Sequence, residues 1–172
     1  MNQGYHEIKE HGKRGFPFNI YPCSIPVDFT HVALHWHEEM EIIAVKKGNG
    51  RITVDTVSYP VSEGDILAVF PGQLHAISCG SGERMEYENI IFRISMLMGD
   101  NGDGCTVHFL SPLQEGQAKK PVLIQKGQTD YEVFGNVIRE LDKFSQQQGN
   151  GYQLAVKGQL FLFLYYAYGR GI

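Results

Sequence analysis

The sequence predicts a mainly β fold, a sandwich or barrel, followed by two α-helices. Three observations carry this. Gly and Pro punctuate the first two thirds of the 172 residues. Between Phe16 and Ile94, runs rich in β-branched and aromatic residues alternate with turn signals at the spacing of short packed strands. After Pro121 the hydrophobic period becomes helical. A chain of this length, 42% hydrophobic and 20% charged, buries a sizeable core and is not globally disordered.

The candidate strands are Phe18 to Cys23, His31 to Trp36, Met40 to Lys46, Arg51 to Val54, Val57 to Val61, Ile66 to Phe70, His75 to Cys79 and Met85 to Ile94. Gly48-Asn49-Gly50 is expected to close a hairpin that needs positive φ, and Asp55-Thr56 a second one. Links this short imply antiparallel neighbours. MGDNGDGC, Met98 to Cys105, reads as a plain turn, because it lacks the alternating oxygen ligands and closing glutamate of a calcium loop. Val133, Val137, Ile138, Leu141 and Phe144 share one face of a helix from about Asp130 to Gln147, opposite Arg139, Glu140, Asp142 and Lys143. Tyr152 to Tyr168 forms a second helix whose LFLFLYYAY stretch is apolar nearly all round. That is more than one sheet face covers, so a partner surface is expected there. No linker separates two cores: the reading is a β unit over 1–125 with a helical appendage over 126–172.

A net charge of −4 lacks the basic excess that holds nucleic acid through its phosphates. No apolar run reaches the roughly 18 residues of a membrane helix, and the start, MNQGYHEIKEHGKRG, is too polar for a secretion signal, so a cytoplasmic protein is expected. Cys23, Cys79 and Cys105 are odd in number and lack CxxC spacing, which fits reduced buried thiols. The glycines at 48, 50, 80 and 82 precede no GK[ST] and make no phosphate cradle.

The chemistry concentrates in His35-Trp36-His37-Glu38-Glu39-Met40-Glu41. A strand points His35 and His37 the same way, and Glu41, just past a turn, joins them. Downstream, a tight turn at Pro71-Gly72 reverses a strand and delivers His75. Two or three imidazoles and a carboxylate converging inside a barrel make an N and O donor set for one divalent transition ion, Zn, Fe, Mn or Ni. Each histidine taken singly also fits a structural role. Trp36 faces the other side of its strand, where packing explains it. Tyr87, Phe92 and Phe109 are candidates for a ligand-lined barrel mouth or for ordinary core. Arg93 stands among apolar residues and either meets an anionic effector or pairs with an internal acid, the pairing being the simpler. His6, His11, His31 and His108 carry no motif and read as surface or strand residues.

His35, His37, Glu41 and Gly48 resemble the first motif of the cupin superfamily, and Gly64, Asp65, Pro71, Gly72 and His75 its second. Three positions depart from the pattern: Phe29 stands where a Gly usually opens the first motif, one extra residue precedes Pro71, and Cys79 replaces a frequent Asn. A wider resemblance, through FPFNIYP, LHWHEEMEII, GNGRITVDTVSYPVSEGDILAVFPGQLHAIS and the two helices, is to the N-terminal effector-sensing and dimerisation domain of AraC-type bacterial transcription regulators. It implies a jelly-roll barrel, a cupin-type double-stranded β-helix, with two C-terminal helices. It further implies a small-molecule effector such as a sugar, homodimers through those helices, and DNA contacts only through a C-terminal helix-turn-helix part that this chain does not contain. Many such sensors bind ligand without metal. On that resemblance His35, His37, Glu41, His75, Tyr87 and Arg93 are the ligand-binding candidates and no residue is catalytic. A mononuclear metal-dependent cupin enzyme, an oxygenase or isomerase, is the alternative, and a stand-alone sugar-binding module is a third reading.

Overall fold

The computed structural model describes residues 3–9, 11–100, 102–118 and 120–172; Asn101, within the glycine-rich loop, lies outside them. Seven strands come first: β1 (Phe18–Ile25), β2 (Val32–His35), β3 (Met40–Val54), β4 (Val57–Ser62), β5 (Ile66–Val69), β6 (His75–Ser78) and β7 (Met85–Phe92). A 3-10 turn, Ile94–Leu97, and a π-helical turn, Thr106–Leu110, lead into the short α1 (Ser111–Gln114). The strand β8 (Val122–Ile124) precedes α2 (Tyr131–Gln147) and α3 (Tyr152–Gly169).

All strand pairings are antiparallel. One layer runs β1-β7-β3-β5-β8, and the other joins β2, β6, β3 and β4. The 15-residue β3 belongs to both: Met40 to Gly48 pairs with β7, while Asn49 to Val54 pairs with β4 and β6. This corrects the expected hairpin at Gly48-Asn49-Gly50, since the two predicted strands are one strand that bends. Gly48 sits at φ +78°, where a Cβ would stand 2.0 Å from the Arg84 carbonyl oxygen, and a register shift between Val45 and Lys47 adds to the bend. Bend and hairpin draw on the same residue types, so composition alone does not tell them apart. The expected turn at Asp55-Thr56 does close a hairpin, with Val54 opposite Val57.

Alternation along the strands separates two cores. Ile43, Val45, Leu67, Val69 and Tyr87 face the barrel interior, where Ile52, Val54 and Ile77 of the other layer meet them. Met40, Ile42, Ala44, Ile90 and Phe92 face outward and are covered by Phe134, Val137, Ile138 and Leu141 of α2 and Leu160, Phe163 and Leu164 of α3. Phe92 therefore lies beneath the helices rather than at a barrel mouth, and Phe109 is exposed beside Tyr168. The helices keep nearly their expected limits. The π-helical turn, α1 and β8 were not expected: Asp103 seeds the turn by accepting from Thr106 N at 2.8 Å, and a three-residue strand is too short to show a period. All three cysteines are free, but only Cys23 and Cys79 are half-buried; Cys105 is exposed, against expectation, on the turn after that loop.

Candidate metal centre

The ends of three strands place the site. His35 closes β2, His37 and Glu39 occupy the link to β3, Glu41 is the second residue of β3, and His75 opens β6. His35 pairs with His75 across β2 and β6, with ring centroids 4.2 Å apart, and His37 lies 5.1 Å from His75. Glu41 faces inward because Met40 and Ile42, on either side of it, turn toward the helices. His37, Glu41 and His75 are buried and His35 is half-buried. One donor atom from each of the four lies within 4.8 Å of every other.

The imidazoles are oriented from behind. Nδ1 of His35 donates to the Ala33 carbonyl at 2.8 Å, that of His75 to the Gln73 carbonyl at 2.9 Å, and that of His37 to the Glu39 carbonyl at 3.1 Å. A carbonyl only accepts, so each Nδ1 carries the hydrogen and each Nε2 is left for the common centre, the outer-sphere arrangement that fixes metal-binding histidines. Oε2 of Glu41 lies 3.0 Å from Nε2 of His37 and 3.2 Å from Nε2 of His75. Burial opposes charge on His37, but the Glu41 carboxylate outweighs it and raises the imidazole above its ordinary value. Burial would raise Glu41 too, yet His75 and His37 hold it well below the usual carboxylate range. His35 is lowered, by burial and then by His75. The donor set fits a divalent ion: three imidazoles and a carboxylate, the ligand types such an ion takes, offer donor atoms within 4.8 Å of one another. His35, His37, Glu41 and His75 would hold it.

Of the other two residues singled out, Tyr87 is inside the barrel, 1% exposed, and its buried hydroxyl has no nitrogen or oxygen partner and meets only the Cys23 thiol. Burial raises it well above the ordinary tyrosine value, and its cross-strand neighbour Cys23 is pushed up to about 11. Arg93 stands apart from the cluster, with Nε donating to Oε1 of Glu39 at 2.8 Å, the pairing the sequence favours. Three neighbours carried no recognisable signal. Glu39 is buried and joins Arg93 to His37; Glu7 reaches within 3.7 Å of His35; and His11, read as a surface or strand residue, is 6% exposed with its ring 6.2 Å from His37. The segment that supplies Glu7 and His11 has no period, because it is held by single contacts such as Glu7 N donating to Trp36 O at 2.9 Å. Trp36 is half-buried, outside both cores, and stacks on His6 with ring centroids 4.2 Å apart.

The chain shares 27% identity over 88 residues with YdeC, an uncharacterized HTH-type transcriptional regulator of Bacillus subtilis (strain 168). The aligned stretch is 51% of this chain and 30% of that protein, so the chain spans about a third of that relative. Among solved structures, a cupin 2 conserved barrel domain protein from Salinispora arenicola CNS-205 is 23% identical with a TM-score of 0.42, covering 46% of this chain and 66% of the other. Bacillus subtilis oxalate decarboxylase, described with Mn(II) centres, is 25% identical with a TM-score of 0.33, over 37% and 18% of the two chains. The profile described as the AraC-like ligand binding domain matches residues 26–164. An antiparallel barrel backed by two C-terminal helices, carrying HxHxxxE and a downstream His on converging strand ends, agrees with that match over most of its length, and the chain belongs to the AraC-like ligand binding domain family.

Proposed function

We propose that this chain is the sensing half of a cytoplasmic transcription regulator, binding a small polar molecule such as a sugar in its barrel. His35, His37, Glu41 and His75 would hold a single divalent ion to which an oxygen of that molecule could bind, and the buried hydroxyl of Tyr87 would hydrogen-bond the molecule. The observation that carries this reading is the convergence of four donor atoms within 4.8 Å, each imidazole turned by a backbone carbonyl. When bound, the ion supplies Lewis acidity toward a ligand oxygen. Glu41 and Ile42 are adjacent on β3, one facing the site and the other the helices, so a ligand that shifts this strand-end shifts the surface on which α2 and α3 rest. Its effect equals its differential affinity for the two arrangements. Two copies pair through α3, where Leu154, Phe161, Leu162 and Tyr165 are exposed, and helix-turn-helix units elsewhere in the whole protein contact DNA.

The test is elemental analysis and calorimetric titration with Zn(II), Ni(II) and Mn(II), followed by a thermal-shift screen of sugars and aromatic acids on the loaded protein. One ion per chain is expected, lost in His75→Ala, and a ligand at 100 times its Kd adds about 2.7 kcal/mol. A wild-type protein that takes up no ion and responds to no ligand overturns the reading. The same donor set would also serve a mononuclear metal enzyme. Turnover of an added substrate by the loaded protein, abolished in His75→Ala, favours that alternative.

A further inference from the structure

A cleft of about 500 Å³ lies between the N-terminal segment, the end of β7 and helix α3, and none of the four cluster residues lines it. Among the described residues, its lining includes Lys13, Arg14, Arg93 and Lys157, with His11 and Ser95, and no Asp or Glu. In a chain of net charge −4 this is a local reversal of sign. Arg93 is answered by Glu39 at 2.8 Å and Glu38 at 3.9 Å. Lys13, Arg14 and Lys157 have no carboxylate within ion-pair distance among the described residues.

The cations are placed by structure. Lys13 and Phe16 exchange backbone hydrogen bonds at 3.2 and 2.9 Å, closing a turn with Arg14 at its tip and Gly15 at φ +85°. Just before it, His11 is anchored through Nδ1 to the Tyr21 hydroxyl at 3.2 Å, and its buried Nε2, which makes no hydrogen bond, lies 3.9 Å from Oε2 of Glu7. Bringing the charges of Lys13, Arg14 and Lys157 to one cleft is unfavourable until an anion meets them. An anionic oxygen relieves that repulsion. We propose that this cleft binds a small polyvalent oxyanion, a phosphate ester or a polycarboxylate, held by Lys13, Arg14 and Lys157. The volume falls within the ~300–1,000 Å³ of small-molecule sites. The three side chains come from two segments far apart in sequence, so the anion ties the N-terminal segment to α3. The site goes beyond the barrel reading and needs no metal.

Calorimetry on the full chain, stripped of metal, tests it with inorganic phosphate, with succinate and with glucose as the uncharged control. Saturable one-to-one binding of phosphate or of succinate is expected, and the preference tells an ester from a carboxylate ligand. Lys157→Ala and the Lys13→Ala, Arg14→Ala double variant each weaken binding about tenfold, the loss of a charge-assisted contact. Lys47→Ala, at an exposed lysine outside the cleft, leaves it unchanged. Thermal melts run alongside show the variants folded, because the charged ends removed take no hydrogen bonds among the described residues; Lys157→Gln replaces any that melts early. The proposal is overturned if no anion gives saturable heat at millimolar concentration, or if Lys47→Ala weakens binding as much as the cleft variants do.

Discussion

At the scale of single residues, the polar atoms inside the barrel divide into satisfied and orphaned ones. Glu41 has two imidazole partners, and each imidazole a carbonyl, so this group is electrostatically complete and replacing one member leaves the others exposed to the cost of burial. Tyr87 is the opposite case, a buried hydroxyl with no nitrogen or oxygen partner and only the weakly bonding Cys23 thiol beside it. Removing so weakly held a hydroxyl while keeping the ring costs little. Tyr87→Phe is therefore expected to leave urea stability of the ligand-free protein within about 1 kcal/mol of wild type, or to raise it, while weakening the barrel ligand about tenfold. A loss of several kcal/mol in the ligand-free protein would show that the hydroxyl is structural.

At the scale of elements, β3 and the two helices set the architecture. Lys46 crosses from the sheet to Glu88 and to Asp142 of α2, the latter at 2.9 Å, and so ties the outer face of the barrel to the helix that covers it. Beyond α3, Arg170 closes the other end: Nε donates to Asp130 at 2.8 Å, Nη1 to the Leu123 carbonyl at 2.9 Å, and the guanidinium lies over the Phe134 ring. Arg170 holds Asp130 below its ordinary value. A depressed carboxylate contributes stability above its unfolded pKa, ~3.9, and loses it as pH falls through the folded value. The gap in stability between wild type and Asp130→Asn, followed by denaturation at a series of pH values, is expected to be constant near neutrality and to close below about pH 4. The pair is part-exposed, so the gap stays within about 1 kcal/mol. A gap that persists undiminished to acid pH would mean that Asp130 acts through packing alone.

At the scale of the molecule, α3 buries one side against α2 and the sheet and leaves apolar side chains on the other. Leu154 and Tyr165 are 77% and 71% exposed, and Phe109, Phe161, Leu164 and Tyr168 line an apolar groove of about 200 Å³. An apolar face of this kind favours association with a like surface. Sedimentation is expected to find a dimer at micromolar concentration, converted to monomer by Leu162→Glu with Tyr165→Glu. A wild-type monomer, with and without ligand, removes pairing through this face. No helix of the described residues is long and apolar enough to cross a membrane.

Local pattern by itself determined the antiparallel strands, the two helices to within a residue or two, the Asp55-Thr56 hairpin and the HxHxxxE run, because period and turn chemistry are properties of neighbouring residues. Tertiary structure decided what depends on residues far apart. It made Gly48 a bend rather than a hairpin, through the close approach of the Arg84 carbonyl. It separated Tyr87 and Phe92, five residues apart on one strand, into barrel interior and helix-covered face. It brought His75 to Glu41 across 34 residues, and gathered Lys13, Arg14 and Lys157 at one cleft, pairings set by strand register and helix packing that no local periodicity encodes.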